Sequence, residues 1–311
     1  SCDLLVIDEC STISNQDMVS ILRKIDCKML VLVGDVFQIE SILFGNWFDI
    51  IRRFVNKSAI LELKKPYRTT NENLLTIWNR VRNLDIAILE PMVKEKYSVR
   101  LDKSVLEEPN DDEIILCLNY DGIYGINNIN HFLQSNNPNL PVLWGVHDYK
   151  VNDPILFNES ERFTPLIHNN MKGKIVDINK TESEIFFTIE LDISINEIDA
   201  DKYDFELLSN KDSKNSIIKF SVKKYPDTDE DDDSFDKLVP FQVAYAVSIH
   251  KSQGLEYKSV KIIITNELEE LVSHSIFYTA ITRAKENLKI YWSPETEKVI
   301  LSSFKKKDFS R

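Results

Sequence analysis

The chain predicts an α/β protein, with parallel sheets in its first and last parts and a small antiparallel β-barrel inserted between them. Three observations lead there. Short apolar runs at residues 4–7, 29–33, 60–63, 114–118, 243–249, 260–265 and 288–292 alternate with helical stretches, the pattern of buried parallel strands and their crossovers. From residue 150 to about residue 222 the texture changes to short alternating β-rich runs broken by Asn, Asp and Lys, as in small antiparallel barrels. Polar residues able to do chemistry gather just past the predicted strands, at the ends where α/β sheets bind ligands.

Composition sets the outer bounds. The chain has 311 residues, 43% of them hydrophobic, enough for two or three compact units and too apolar for a disordered chain. No apolar stretch approaches the ~20 residues of a membrane span, and the start, SCDLLVIDEC, lacks a basic region followed by a signal-type core. Four cysteines (Cys2, Cys10, Cys27, Cys117) form no CxxC pair and no ligand spacing with the five histidines. Reduced thiols in a cytoplasmic, membrane-free monomer are the expectation. The net charge of −12 argues against a nonspecific nucleic-acid coat, because phosphate binding leaves a basic imprint. Part of that excess is local, in the acidic run DTDEDDD at residues 227–233.

Taken in order, residues 4–7 form a strand ending in Asp8-Glu9, Ser14-Asn15 cap a helix to about Lys24, and residues 29–33 form a second buried strand ending in Gly34-Asp35. A carboxylate at such a strand end can hold a nucleotide's Mg²⁺ through water, and an adjacent Glu can deprotonate an attacking water. A polar strand end with no such role has the same appearance. Gln38 offers an amide where a terminal phosphate could be sensed, or is an exposed loop residue. The run 60–63 precedes KKPYR, where Arg68 is either a salt-bridge partner or a planar phosphoryl clamp. In the helix over 71–84, Leu74, Leu75, Trp78 and Val81 fall at helical spacing and are core. A strand at 114–118 leads into a helix from about 123 to 133, with Ile126, Ile129 and Phe132 facing the sheet.

The run VAYAVSIHKSQGLEY, residues 243–257, pairs a β-branched strand with a polar, basic knot before the next strand at 260–265. The strand is expected to turn there into a short helix whose free N–H groups, beside Ser248, His250, Lys251 and Ser252, make a phosphate site. The alternative is a solvated turn with a lysine. Residues 275–286 predict a helix with Phe277, Ala280, Ile281 and Ala284 in one apolar stripe and Arg283 on its polar edge, paired with a neighbour such as Glu286 or free for a ligand.

LLVIDEC, LVLVGDVFQIES, ELKKPYRT, AYAVSIHKSQGLEY and FYTAITRAKENL, in this order, resemble the motifs of superfamily 1 DNA helicases, in particular the RecD-like branch. The likeness spans about residues 4–288. It implies two RecA-like domains, the first partial (1–57) and the second in two parts (58–149 and 239–311), around an inserted SH3-like barrel (150–238). It implies ATP and Mg²⁺ as cofactors and single-stranded DNA as partner, with 5′-to-3′ movement. By resemblance, Asp8 holds the Mg²⁺, Glu9 and Gln38 act on the attacking water and the terminal phosphate, and Arg68 and Arg283 reach the γ-phosphate. Gly34, Asp35, Gln253, Gly254 and Glu256 lie near the nucleotide, and Ser248, His250, Lys251 and Ser252 contact the strand. The family's barrel glycines are replaced by Asn152 and Asn170, residues that tolerate positive φ, so the turns can survive.

No GxxxxGK[ST] phosphate loop occurs among the seven glycines. The expectation is therefore a carboxyl-terminal portion of a longer helicase, with little ATPase activity alone. Two other classes stay open: a nucleic-acid- or partner-binding module that has lost catalysis, and an NTPase subunit of a nuclease–helicase or other repair assembly.

Overall fold

The computed structural model describes residues 2–39, 47–63, 65–107, 109–158, 161–208, 215–224 and 238–304. The acidic run 227–233 lies outside them. The chain divides into two compact units, one of residues 1–105, 110–118 and 248–311, the other of residues 106–109 and 119–247.

The first unit opens with two parallel strands, Cys2–Ile7 and Cys27–Leu32, paired so that Leu4 faces Met29 and Ile7 faces Leu32. The helix Asn15–Lys24 connects them. Ser14 caps it, its hydroxyl oxygen accepting from the Asp17 N–H at 3.1 Å, and Arg23 and Lys24 close the last turn, where positive charge suits the helix dipole. Both strands were expected to be buried, and this is corrected: Leu4 and Val6 are 53% exposed and Met29 60%. A two-stranded sheet with one helix has too little apolar surface to cover both its faces.

The unit's main sheet runs in the order Glu113–Cys117, Tyr257–Ile263, Ala284–Trp292, Ser98–Arg100, all four pairing in parallel. Glu113–Cys117 is buried at every position and Tyr257–Ile263 at all but Lys258, as central parallel strands covered on both faces must be. The helix Glu72–Arg82, capped by Asn71, buries Leu74, Ile77, Trp78 and Val81. Its Trp78 indole donates to the Ile281 carbonyl at 3.0 Å.

Three expectations change here. Residues 60–63 form no strand; they are extended beyond the short turn Lys57–Ala59, and Leu61 and Leu63 are almost fully exposed. The edge position is filled by Ser98–Arg100, three residues too polar to stand out. Residues 243–249 are not one strand but the ends of two, Phe241–Val243 and Ala246–Ser248. The last helix is His274–Ile281, and the strand Ala284–Trp292 begins three residues later, so Arg283 lies in the joint and not on a helix edge.

The second unit is a six-stranded antiparallel sheet in the order Glu206–Leu208, Ile217–Lys223, Glu184–Leu191, Lys172–Lys180, Pro154–Phe157, Phe241–Val243. Alternation along these strands sends Ile155, Phe157, Phe187, Ile189, Phe220 and Phe241 into one core. Phe187 meets Phe241 edge-on with centroids 4.9 Å apart, a favoured aromatic geometry. Asn152 and Asn170 hold positive φ, 72° and 67°, as their places in the turns require.

This unit also contains the helix Ile126–Asn136 and a hairpin, Val142–Trp144 with His147–Tyr149, that the sequence did not announce. The helix starts three residues later than expected, and it buries Leu133 while Phe132 is 45% exposed. Asp153, fully buried, ties helix, hairpin and sheet together. It accepts from Gln134 at 2.6 Å, Asn137 at 2.9 Å, Tyr245 at 2.8 Å and the Lys150 N–H at 2.9 Å.

Candidate functional site

The site lies in the first unit, where the ends of several strands meet. At the end of Cys2–Ile7 the chain turns sharply: Glu9 is left-handed, φ 52°, a conformation that costs a non-glycine residue about 1–2 kcal/mol. The turn is over-determined. The Glu9 N–H donates to Asp8 Oδ1 at 2.8 Å, Thr12 Oγ1 donates to the Glu9 carbonyl at 2.8 Å, and the Cys10 N–H donates to the Val33 carbonyl at 2.8 Å. Asp8 is exposed and Glu9 half-buried. Burial pushes the Glu9 carboxyl above its ordinary 4.5, with Asp8 and Asp35 adding to the rise, while Arg283 and Arg68 oppose it.

One strand over, Gly34 lets the chain pass close to the first turn; a Cβ there would lie 2.9 Å from the Phe48 ring and 3.1 Å from the Ser11 nitrogen. Asp35 then organises its own loop, Oδ1 accepting from the Phe37 N–H at 3.0 Å. The Gln38 side-chain nitrogen reaches Asp35 Oδ2 at 3.5 Å, while its Oε1 is buried without a hydrogen-bond partner among the described residues. Ile39 is held from both sides: its N–H donates to Thr279 Oγ1 at 3.0 Å and its carbonyl accepts from Gln253 Nε2 at 3.3 Å.

Facing these acids are the basic groups. Arg283 is fully buried. Its Nε donates to the Thr279 carbonyl at 2.9 Å, one terminal nitrogen to the Leu255 carbonyl at 3.0 Å and the other to Thr282 Oγ1 at 3.1 Å. Burial, and then the charge of Arg68, lower its pKa to about 10, while Glu9 and Asp35 support its charge. Arg68 donates from Nε to Glu256 Oε2 at 3.1 Å and from Nη1 to the Thr282 carbonyl at 2.8 Å. Lys285 pairs with the other Glu256 oxygen. Thr69 and Asn71 bond the carbonyls of Lys285 and Glu286, so residues 68–71 and 282–286 are stitched together.

The turn after Ala246–Ser248 is a run of tight turns, not a helix. Ser248 Oγ accepts from the Lys251 N–H at 3.2 Å, and the wholly buried Ser252 hydroxyl donates to the Ile249 carbonyl at 2.7 Å. Both serines therefore hold the turn in shape, and His250 is the exposed side chain. Burial of part of its ring keeps the His250 pKa below 6.5, which favours the neutral form at pH 7. Lys251 is half-buried. Gly254 is exposed with φ +78° and open space where a Cβ would be; the backbone angle, not crowding, calls for glycine.

The structure thus brings Asp8, Glu9, Asp35, Arg68 and Arg283 within electrostatic reach of one another, and sets Gln253 and Glu256 beside them. Ser248 and Ser252 are turned into their own loop. Sequence reasoning did not single out Thr279, Thr282 or Lys285. Lys285 had a signal, standing two residues past Arg283 in the same run; Thr279 and Thr282 look like ordinary helix residues until folded. Among the described residues no three His, Cys, Asp or Glu side chains stand close enough to form a metal site by themselves. No helix of the described residues is long and apolar enough to cross a membrane.

The UvrD-like helicase C-terminal domain matches residues 243–291, and the AAA domain matches residues 1–97. The RecD subunit of the RecBCD enzyme from Buchnera aphidicola (subspecies Schizaphis graminum) is 23% identical over 94% of this chain and 54% of its own length. A protein of Methanocaldococcus jannaschii is 24% identical over 93% of this chain and 28% of its own. The chain thus spans about half, or less, of the length of these relatives.

Among solved structures, Pif1 helicase from Bacteroides in complex with ADP-AlF3 and single-stranded DNA superposes with a TM-score of 0.54 at 16% identity, over 94% of this chain and 70% of that one. Pif1 from Candida albicans gives 0.52 at 15%, over 96% and 75%. At these identities the structural likeness is one of fold. In fold the chain is similar to these Pif1 helicases, and two of its segments match the UvrD-like helicase C-terminal domain and the AAA domain. Over most of its length it is similar to the RecD subunit named above.

Proposed function

We propose that this chain is part of an ATP-dependent DNA helicase or translocase that couples ATP hydrolysis to 5′-to-3′ movement along single-stranded DNA. The observation that carries this reading is the meeting, within one unit, of a carboxylate pair with a buried arginine and a second, more exposed one. That is the equipment phosphoryl transfer needs. There the protein contributes position and charge rather than covalent chemistry.

In this reading Asp8, an exposed carboxylate of the hard-oxygen kind, holds Mg²⁺ through water. The ion would neutralise charge on the terminal phosphates. Glu9, its carboxyl raised by burial, takes the proton of the attacking water, and the unpaired Gln38 Oε1 accepts that water's other hydrogen. Arg68 and Arg283 stabilise the charge that builds on the transferred group. Gly34, Asp35, Gln253, Gly254 and Glu256 frame the nucleotide. His250 and Lys251 contact the strand's phosphates, with Ser248 and Ser252 shaping the turn that presents them. The antiparallel unit is an SH3-like barrel inserted into the second RecA-like domain.

The RecD likeness favours a subunit of a cytoplasmic repair assembly with a nuclease partner. The test is strand-stimulated ATP hydrolysis by the whole protein, with and without single-stranded DNA. Turnover that is indifferent to the strand, or that survives Arg68→Ala and Arg283→Ala together, would sink this reading. Co-purification with a nuclease chain tests the subunit role.

A further inference from the structure

Glu256 is a carboxylate at the site that bridges two cations from distant parts of the chain. Its Oε2 lies 3.1 Å from Arg68 Nε, and its Oε1 pairs with Lys285 Nζ. Two adjacent oxygens of one anion, each on its own cation, is also how a phosphoryl group would be held by the same two side chains.

We infer that Glu256 is an internal stand-in for the terminal phosphate, occupying Arg68 and Lys285 until an incoming phosphoryl group takes over both. The inference rests on the reading of this site as a nucleotide site and concerns its state before the nucleotide arrives.

Three features support exchange over a permanent bridge. The side chains of Glu256, Arg68 and Lys285 are 41%, 28% and 33% exposed, and pairs so open to water are weak and easily replaced. Arg283, by contrast, is held by Thr279, Thr282 and the Leu255 carbonyl and does not touch the Glu256 side chain through any of those bonds. Without a ligand, Arg68 and Arg283 repel one another, and an anion beside Arg68 offsets that cost. A terminal phosphate brings about two negative charges of its own, so Glu256 then becomes a surplus, like-charged neighbour.

The probes are the β,γ-imido analogue of ATP, which carries the terminal phosphate, and ADP, which does not. Binding of both is measured by calorimetry in the whole protein carrying Glu256→Gln. The analogue is expected to bind about threefold to fivefold more tightly than to the wild type, a gain that ADP does not share, and Arg68→Ala is expected to erase it. Glu256→Asp, charged but too short to bridge both cations, should fall between the two.

An unchanged or weakened affinity for the analogue in Glu256→Gln overturns the inference, as does equal tightening for ADP. If Arg68→Ala weakens the analogue while Glu256→Gln does nothing, only the stand-in role fails. If the wild type does not distinguish the analogue from ADP and Arg68→Ala alters neither, the nucleotide-site reading fails and takes the inference with it.

Discussion

Arg283 is the most exacting test of the site. A guanidinium has five N–H donors, and three are already bound to the Thr279 carbonyl, the Leu255 carbonyl and Thr282 Oγ1 at 2.9, 3.0 and 3.1 Å. Two remain for a ligand, aimed by a fork that cannot rotate. Arg283→Lys keeps the charge but has three donors on a flexible stem, too few to hold that joint and reach a phosphate. Leaving buried acceptors unpaired costs about 1–3 kcal/mol of stability. An arginine acting on a transferred phosphoryl group is worth about 10³–10⁵ in turnover, or about 4–7 kcal/mol of barrier. Arg283→Lys and Arg283→Ala should therefore lose strand-stimulated hydrolysis by about three orders of magnitude or more, while still binding the imido analogue. The assay is steady-state turnover by the whole protein, at a temperature where thermal unfolding shows both variants folded. Turnover within about tenfold of wild type, a barrier change of about 1.4 kcal/mol, would refute the role given to Arg283.

Four further outcomes are expected. Hydrolysis should fall with acid through a pKa above 4.5, because Glu9 must be ionised to accept a proton and burial raises its carboxyl; a rate flat down to pH 4.5 would remove Glu9 as the base. Asp153→Ala, which strands donors from Gln134, Asn137, Tyr245 and Lys150, should destabilise the antiparallel unit by about 3 kcal/mol in urea unfolding. Burial also lifts the Asp153 carboxyl above 3.8 against the hydrogen bonds that lower it. The folded state then holds that proton more tightly than the unfolded one, so stability from this group falls as pH rises through the interval, a slope Asp153→Asn should lack. Gly34→Ala should cost about 1–3 kcal/mol in thermal unfolding, because its methyl would meet the Phe48 ring at 2.9 Å and the Ser11 nitrogen at 3.1 Å; an unchanged melting temperature would show that the two turns are not packed as described.

The sequence by itself determined the order of the chemistry. Apolar runs ending in Asp8-Glu9, in Gly34-Asp35 and in the HKSQG turn mark strand ends, because the strands of parallel sheets are apolar until the chain leaves the sheet. The change of period near residue 150 marked the start of the antiparallel sheet, although the unit that holds it begins at residue 119, and Asn152 and Asn170 marked turns that need positive φ. Local pattern misled where the deciding contacts are distant. Residues 60–63 have the composition of a strand, yet the main sheet takes Ser98–Arg100 at its edge instead. Leu4, Val6 and Met29 read as core, yet burial depends on a covering layer that the two-stranded sheet does not supply.

Which side chains are buried, paired or exposed was set by contacts between distant parts of the chain. Arg283 looked like a helix-surface residue and is fully buried in a joint. Ser252 looked like an outward contact and spends its hydroxyl on the Ile249 carbonyl. Residues 188 apart, Arg68 and Glu256, become partners, and Ile39 is gripped by Thr279 and Gln253, more than 200 positions away. Periodicity records which face of an element is apolar. It carries no record of what that face meets, and charge, pKa and hydrogen-bond satisfaction are set by that meeting.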